Sequence, residues 1–263
     1  MISVNPVVAR PHFFTGKPIC PASRTTGATA ATTRRRFSPT SANISAKQIV
    51  EHVVLVRTKP EVEHSKINDM VNNLYKLSSL PQVLHLTTGP VLRTQSPTLS
   101  FTHLLHSRYE STSDLEEYST HPLHLSVVRN FLFPVIDDIM VADWIADDFS
   151  GSVEVGPGSI IRVKLLKLKE GLSENERKEI VGVTKGLKQK FSPIDQLTVG
   201  ENIAQARTKG FCIASIGVFG GLGAIHALDA QSAALNDQKD GVRRFVEDVV
   251  VVDYALPAKM LIT

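Results

Sequence analysis

One segment of this chain occurs twice. Ile136-Asp137-Asp138-Ile139-Met140-Val141-Ala142-Asp143-Trp144 returns as Val246-Glu247-Asp248-Val249-Val250-Val251-Val252-Asp253-Tyr254, an offset of 110 residues. Phe101 recurs as Phe211 and, one residue out of step, Gly89 recurs as Gly200. A repeat decides architecture before any local pattern does. This unit is too long for a solenoid module and has the size of a small domain. The chain therefore reads as a duplicated domain, and its chemistry lies in whichever copy keeps the polar residues.

Each copy carries the same order of elements. In the first, residues 49–58 alternate as a strand, with His52, Val54 and Val56 on one face and Val53 and Leu55 on the other. Ile67, Met70, Val71, Leu74 and Leu77 follow at helical spacing and stop before Pro81. Residues 83–92 read as a second strand interrupted by Gly89-Pro90. Residues 99–108 read as a third, with Leu99, Phe101, His103 and Leu105 facing one way and Ser100, Thr102, His106 and Arg108 the other. Ser113 with Glu116 predicts a capping box for a short helix. Pro122 ends that helix and suits the first turn of the next, which runs to about Phe133; residues 139–144 close the copy. The second copy repeats the order with strands at 160–168, near Leu197, at 211–218 and at 249–255. Its helices are one capped by Ser173 and Glu176 and one starting near Leu222.

The order β-α-β-β-α-β specifies an α+β fold: two tandem ferredoxin-like domains, each with helices on one face of an antiparallel sheet. The other sheet face is also apolar and needs a partner. A second copy supplies one, so the expected assembly is a barrel between the copies or a symmetric dimer of whole chains. Domain boundaries are expected at 47–147 and 158–257, with the acidic, then Gly- and Ser-rich, stretch 148–157 as linker.

The charge must be divided before it is interpreted. Residues 1–50 hold Arg10, Lys17, Arg24, Arg34, Arg35, Arg36 and Lys47 but no Asp or Glu, and they are rich in Ser, Thr, Ala and Pro. That composition predicts an organelle transit peptide over 1–46. Without residues 1–43 the chain keeps 23 basic residues against 26 acidic ones, so the net +3 of the whole chain is no sign of nucleic-acid binding. No apolar run approaches the roughly 18 residues that cross a bilayer, and the two long helices are mixed in charge rather than basic and amphipathic, so no membrane partner is expected. Cys20 falls in the leader and Cys212 stands alone in an apolar strand, which removes disulfides and cysteine metal sites from the mature chain.

The copies differ in polar residues. Arg162 stands where the first copy has His52, Ile213 where it has His103, and Gln231-Ser232-Ala233-Ala234 where it has His121-Pro122-Leu123-His124. These imidazoles thus belong to the first copy, together with Tyr118. His121 and His124 lie one helical turn apart, but no third ligand for a metal is visible near them. Gly217 to Gly223 follows a strand and precedes a helix; without the Lys-Ser/Thr of a phosphate loop it reads as a turn.

Glu51-His52-Val53-Val54-Leu55, Thr102-His103, Glu117-Tyr118-Ser119-Thr120-His121-Pro122-Leu123-His124 and Asp143-Trp144 together resemble the stress-responsive dimeric α+β barrel (Dabb) proteins of plants and bacteria. The resemblance is strong over 47–147 and weaker over 158–257, and His-Pro-x-His is its most specific part. Tandem copies behind such a leader are similar to the larger plant stress-response A/B barrel proteins, some of them peroxisomal. Leu261-Ile262-Thr263 is not the usual peroxisomal tripeptide, so the chloroplast is the expected location and the peroxisome the alternative.

The resemblance implies a stress-response protein that binds a small hydrophobic ligand or has an activity not yet defined, that requires no cofactor, and that associates with itself. Polyketide-cyclising members imply an alternative. In it, His124 removes a proton alpha to a ketone and is oriented by Tyr118, while His52, His103 and His121 shape the pocket. An imidazole titrating near neutrality is a suitable base for such a step, and an apolar barrel interior would hold the substrate. Some family members also place magnesium on backbone carbonyls at the end of the first helix, which implies Lys76, Ser79 and Gln82 here.

Overall fold

In the computed structural model, residues 47–231 and 242–257 are described; the leader, residues 232–234 and Leu261-Ile262-Thr263 lie outside them. The first strand, β1 (Lys47–Thr58), keeps the expected alternation. Val53 and Leu55 enter the core between the sheets, and Val50 and Val56 pack against the helices. Helix α1 (His64–Lys76) buries Met70 and Leu74 on this sheet and runs out through a 3-10 turn at Leu77–Ser79.

The strand expected at 83–92, with its interruption at Gly89-Pro90, is shorter than that range and stops at the proline. Strand β2 (His85–Pro90) ends where Pro90 removes a backbone donor, and the chain then crosses to the other copy. There β3 (Arg93–Gln95) pairs with the last strand, Arg93 opposite Asp253. Strand β4 (His103–Tyr109) starts later than its alternation suggested. Phe101 does not share a face with His103: residues 99–102 are held by Thr94 and Val56 in irregular backbone, and Phe101 joins Leu104 in the core between the sheets.

The cap of α2 (Thr112–Thr120) is also displaced. Ser111, not Ser113, has the extended backbone, and its hydroxyl accepts the Asp114 amide at 3.2 Å. After the break, α3 (Pro122–Val127) has proline in its first turn and continues through a π-type turn, Val128–Leu132. Strand β5 (Ile136–Phe149) is much longer than the 139–144 expected.

The second copy follows with β6 (Ile160–Leu168), α4 (Glu174–Lys185), α5 (Leu187–Lys190), β7 (Gln196–Glu201), β8 (Phe211–Phe219), α6 (Leu222–Ala230) and β9 (Val246–Ala255). Ser173 and Glu176 form the foreseen capping box on α4. The turn into α6 uses Gly221 at φ +151°, a conformation that excludes side chains.

Sheet one has the order β2-β4-β1-β5 and sheet two β3-β9-β6-β8-β7, antiparallel throughout. Their helix-free faces pack against each other. Val53, Leu55, Met140 and Trp144 meet Val163, Ile216, Val252 and Tyr254 in one continuous apolar core. The two copies thus cover each other within one chain, and a dimer of whole chains is not needed for that purpose. The 148–157 connection is packed as well: Val155 is buried in the core between the sheets, and the Val153 carbonyl accepts Arg108 at 2.8 Å.

A pseudo-twofold relation shows at the seams. Each copy lays its terminal aromatic residue on the other copy's glycine, Trp144 on Gly200 and Tyr254 on Gly89. A Cβ at Gly200 would lie 2.9 Å from Trp144 Cβ and 3.0 Å from the Ile145 carbonyl oxygen, so backbone would have to move. Gly200→Ala is therefore expected to cost about 1–3 kcal/mol in urea unfolding, while an unchanged midpoint would contradict the close approach.

Candidate functional site

A cavity of about 880 Å³ opens between sheet one and its own helices. The expectation of a pocket inside the barrel is corrected here, because side chains of both sheets fill that space. The cavity lies on the other side of β1. Val54, Val56, Leu74, Leu105, Leu115 and Val128 make most of its wall apolar, while His52, His103, Tyr118 and His124 face into it. Its size and character suit a small organic ligand.

The sequence places each imidazole by strand or helix geometry. His52 lies on the helix-facing side of β1, and the β1–β5 register sets Asp143 opposite it. His52 Nδ1 donates to Asp143 Oδ1 at 2.6 Å. A carboxylate only accepts, so a proton sits on Nδ1 and Nε2 is the ring nitrogen left without this partner. His124 lies in the first turn of α3, where the proline break turns it back on α2. Its Nδ1 donates to the Ser119 carbonyl at 3.0 Å, which leaves Nε2 as the basic nitrogen. Burial, with His52 adding to it, pulls the His124 pKa down to about 4, so this ring is neutral at pH 7.

Tyr118 is buried on the inner side of α2, its ring centroid 4.6 Å from that of His124 and 6.1 Å from that of His52. Burial raises its pKa well above the ordinary phenol value, so it acts only as a neutral hydroxyl. It is hydrogen-bonded to Tyr109, whose hydroxyl lies 2.9 Å from Ser107 Oγ. His103 stands at the start of β4, its Nδ1 3.0 Å from Thr102 Oγ1, and burial lowers its pKa.

Four of the five predicted pocket residues thus meet around one space. The fifth, His121, is absent from the cavity wall: its Nδ1 accepts the Leu123 amide at 3.1 Å and caps α3. Sequence reasoning missed Asp143 as the partner of His52, although a carboxylate opposite an imidazole in antiparallel register was a usable signal. It also missed Tyr109, and it missed residues 203–207 of the second copy, which line the same cavity.

Lys76, Ser79 and Gln82 lie at the end of α1, away from this cavity. The Lys76 carbonyl accepts the Ser79 hydroxyl at 2.8 Å, and the Lys76 ammonium donates to Asn73 Oδ1 at 3.1 Å. No carboxylate belongs to residues 76–82, and Gln82 Oε1, buried without a partner, is a neutral acceptor suited to water. Magnesium on this turn would rest on the backbone carbonyls of Lys76, Ser79 and Gln82, with the Glu117 carboxylate 3.3 Å from Gln82 Nε2, and no step below involves a metal. Among the described residues, no group of three or more His, Cys, Asp or Glu is placed to hold one.

The second copy is not bare at the equivalent place, as its sequence suggested. Arg162 replaces His52 and donates to Asp253 and Asp229, both at 2.7 Å, and Arg93 reaches across from the first copy to the same two carboxylates. The arginines hold Asp229 down to about 2. Asp253 is the repeat counterpart of Asp143, so one scaffold position carries an imidazole in one copy and a guanidinium in the other.

The stress responsive A/B barrel domain model matches residues 50–146 and again residues 160–256. The chain belongs to this family. One stress-response A/B barrel domain-containing protein of Arabidopsis thaliana is 49% identical over 225 residues, spanning 86% of this chain and 85% of that protein. A second protein of the same description from that plant is 44% identical over 212 residues, 80% of this chain and 98% of its own length. Among solved structures, a putative monooxygenase of Fusobacterium nucleatum is 12% identical with a TM-score of 0.55, covering 81% of this chain and 94% of that one, a likeness of fold. The A/B barrel family thus accounts for both halves, and no helix among the described residues is long and apolar enough to cross a membrane.

The buried imidazoles predict how this A/B barrel responds to acid. Burial lowers His124 to about 4 and His85, beside His106 and Arg108, to about 3. Below pH 6.5 the unfolded chain takes up protons that these rings refuse in the folded state, so stability falls as pH drops toward 4. The loss is at most about 1.4 kcal/mol per pH unit for each ring. Urea unfolding at pH 7.5 and pH 5 measures it; equal stability at both would contradict the burial of these rings.

Proposed function

We propose that the first copy is a binding module for a small, largely apolar molecule carrying a carbonyl group, and that the protein works in the chloroplast. The observation that carries the binding reading is the cavity itself: about 880 Å³, apolar over most of its wall, with polar atoms gathered at His52, Tyr118 and His124. Such a surface orders water poorly and gains free energy when an apolar ligand replaces it. The location rests on the leader composition, basic and hydroxylated without acids. Fusing residues 1–50 to a fluorescent reporter is expected to deliver the reporter to chloroplasts; a diffuse cytosolic signal would exclude this, and a peroxisomal one would favour the alternative.

A second reading, an aldol-type catalyst, is favoured by the state of His124. Its Nε2 carries the lone pair, and the ring is neutral at working pH. In this reading His124 takes a proton from carbon and the electron pair moves onto the adjacent carbonyl oxygen. The resulting enolate attacks a second carbonyl of the same molecule to form a carbon–carbon bond, and the imidazolium returns its proton to the new alkoxide. A base with so low a pKa suits only an activated C–H flanked by two carbonyls. Poly-β-keto thioesters have that feature. His124→Ala is expected to lower their turnover by roughly 10²-fold or more while the fold, checked by circular dichroism, persists. Equal turnover in this variant would end the enzyme reading and leave the binding reading standing.

A further inference from the structure

The segment after the second strand of each copy reaches across to the other copy, and the two crossings correspond bond for bond. In the first copy, Val91 N donates to Thr102 O and Leu92 N donates to Asp253 O at 2.8 Å. In the second, Asn202 N donates to Cys212 O and Ile203 N donates to Asp143 O at 2.7 Å. Thr102 and Cys212, like Asp143 and Asp253, are repeat equivalents. This register makes Ala204 the counterpart of Arg93.

The two residues act oppositely on equivalent sites. Arg93 enters the second copy beside Arg162 and binds Asp253 and Asp229, so side chains occupy that position. Ala204 meets the first copy at the same place, next to Asp143, and has nothing beyond Cβ to extend. It lines the open cavity instead. The segment that carries it is fastened at both ends. Asn202 Oδ1 accepts the amides of Asp143 at 3.0 Å and of Ala204 at 3.1 Å. Farther on, Val141 N donates to Arg207 O at 3.1 Å, and the Arg207 guanidinium lies over the Phe133 ring. Arg207 holds φ at +61°, a left-handed conformation that a side chain other than glycine adopts only when its surroundings impose it.

From this geometry we infer that the second copy, through Ala204, is a specificity-determining wall of the first copy's cavity. The degenerate half sets which ligands the histidine-bearing half admits. The inference rests on reading the cavity as a ligand site. The small residue at 204 leaves room beside the His52–Asp143 pair; a longer one would enter that room, and an arginine would reach Asp143 as Arg93 reaches Asp253.

Calorimetric titration of the full chain with methyl ketones of increasing chain length tests it. Ala204→Arg is expected to weaken binding of every ketone by roughly tenfold or more, a loss on the scale that filling a ligand's space produces. Ala204→Leu, which adds bulk without charge, is expected to weaken the longer ketones more than the shorter ones. Should Ala204→Arg fail to fold by near-ultraviolet circular dichroism, Ala204→Leu decides alone. Leu92→Trp, at an exposed position of the other crossing one residue before Arg93, should bind like the wild type. If both Ala204 variants match the wild type across the series, the inference is overturned and the ligand reading stands. If the wild type binds no ketone, the ligand reading fails and this inference falls with it.

Discussion

Two antiparallel sheets, each clothed by helices on one side only, must hide their bare sides, and here they hide them against each other. That contact is apolar over most of its area, but a buried carboxylate lies within it. Glu51 is fully enclosed, 2.6 Å from His106 Nε2 and 3.1 Å from Arg108 Nε. Thr198 of the second copy donates to the same carboxylate at 3.0 Å. Burial pushes this group toward protonation, yet Arg108 and His106 outweigh it and hold the pKa at about 2. A charge so placed is tolerable only where every partner is in register. The network therefore fixes how one sheet sits on the other, with Arg108 bonded to Gln196 and the connecting segment. The halves are two domains by descent and one body by packing.

Filling the space between the sheets has a consequence for chemistry. A ligand cannot use it, so the roomy place left by the β-α-β-β-α-β order lies between a sheet and its own helices. In the first copy that place is open, and the π-type turn after α3 and the proline break before it bring His124 over His52 and Tyr118. Both imidazoles direct a proton at a fixed acceptor, Asp143 or Ser119, and His124, neutral at pH 7, keeps its other nitrogen as the basic one. In the second copy the equivalent position is occupied by paired guanidinium and carboxylate groups. One backbone has produced a cavity and a salt-bridge cluster from a handful of side-chain differences.

Much of this was legible in the linear sequence because it rests on periodicity. The repeat at 136 and 246, the alternation around His52 and the capping box at Ser173 each follow from local geometry. The helical stripe from Ile67 to Leu77 does too, and each recurs in the fold. The gathering of His52, His103, Tyr118 and His124 was legible through family likeness. Most of the failures share a cause: they depend on contacts between distant segments. Alternation around Phe101 broke down because Val56 and Thr94 take up its flanking backbone, which no local pattern encodes. The crossing after Pro90, where Arg93 pairs with Asp253 of the other copy, had no local signal. Ser113 had the spacing of a cap, but the extended backbone that capping needs falls at Ser111. The barrel interior looked like the natural pocket, yet side chains of both sheets fill it.

The short packed connection at 148–157 has a meaning beyond mechanics. Two identical subunits meeting about a twofold axis must carry every substitution on both sides, so an arginine that shut one pocket would shut its mate. Once the halves are consecutive stretches of a single polypeptide, that bond between them is cut. Arg93 and Ala204 can then drift apart under separate codons, one half trading its reactive groups for rigidity while the other retains them.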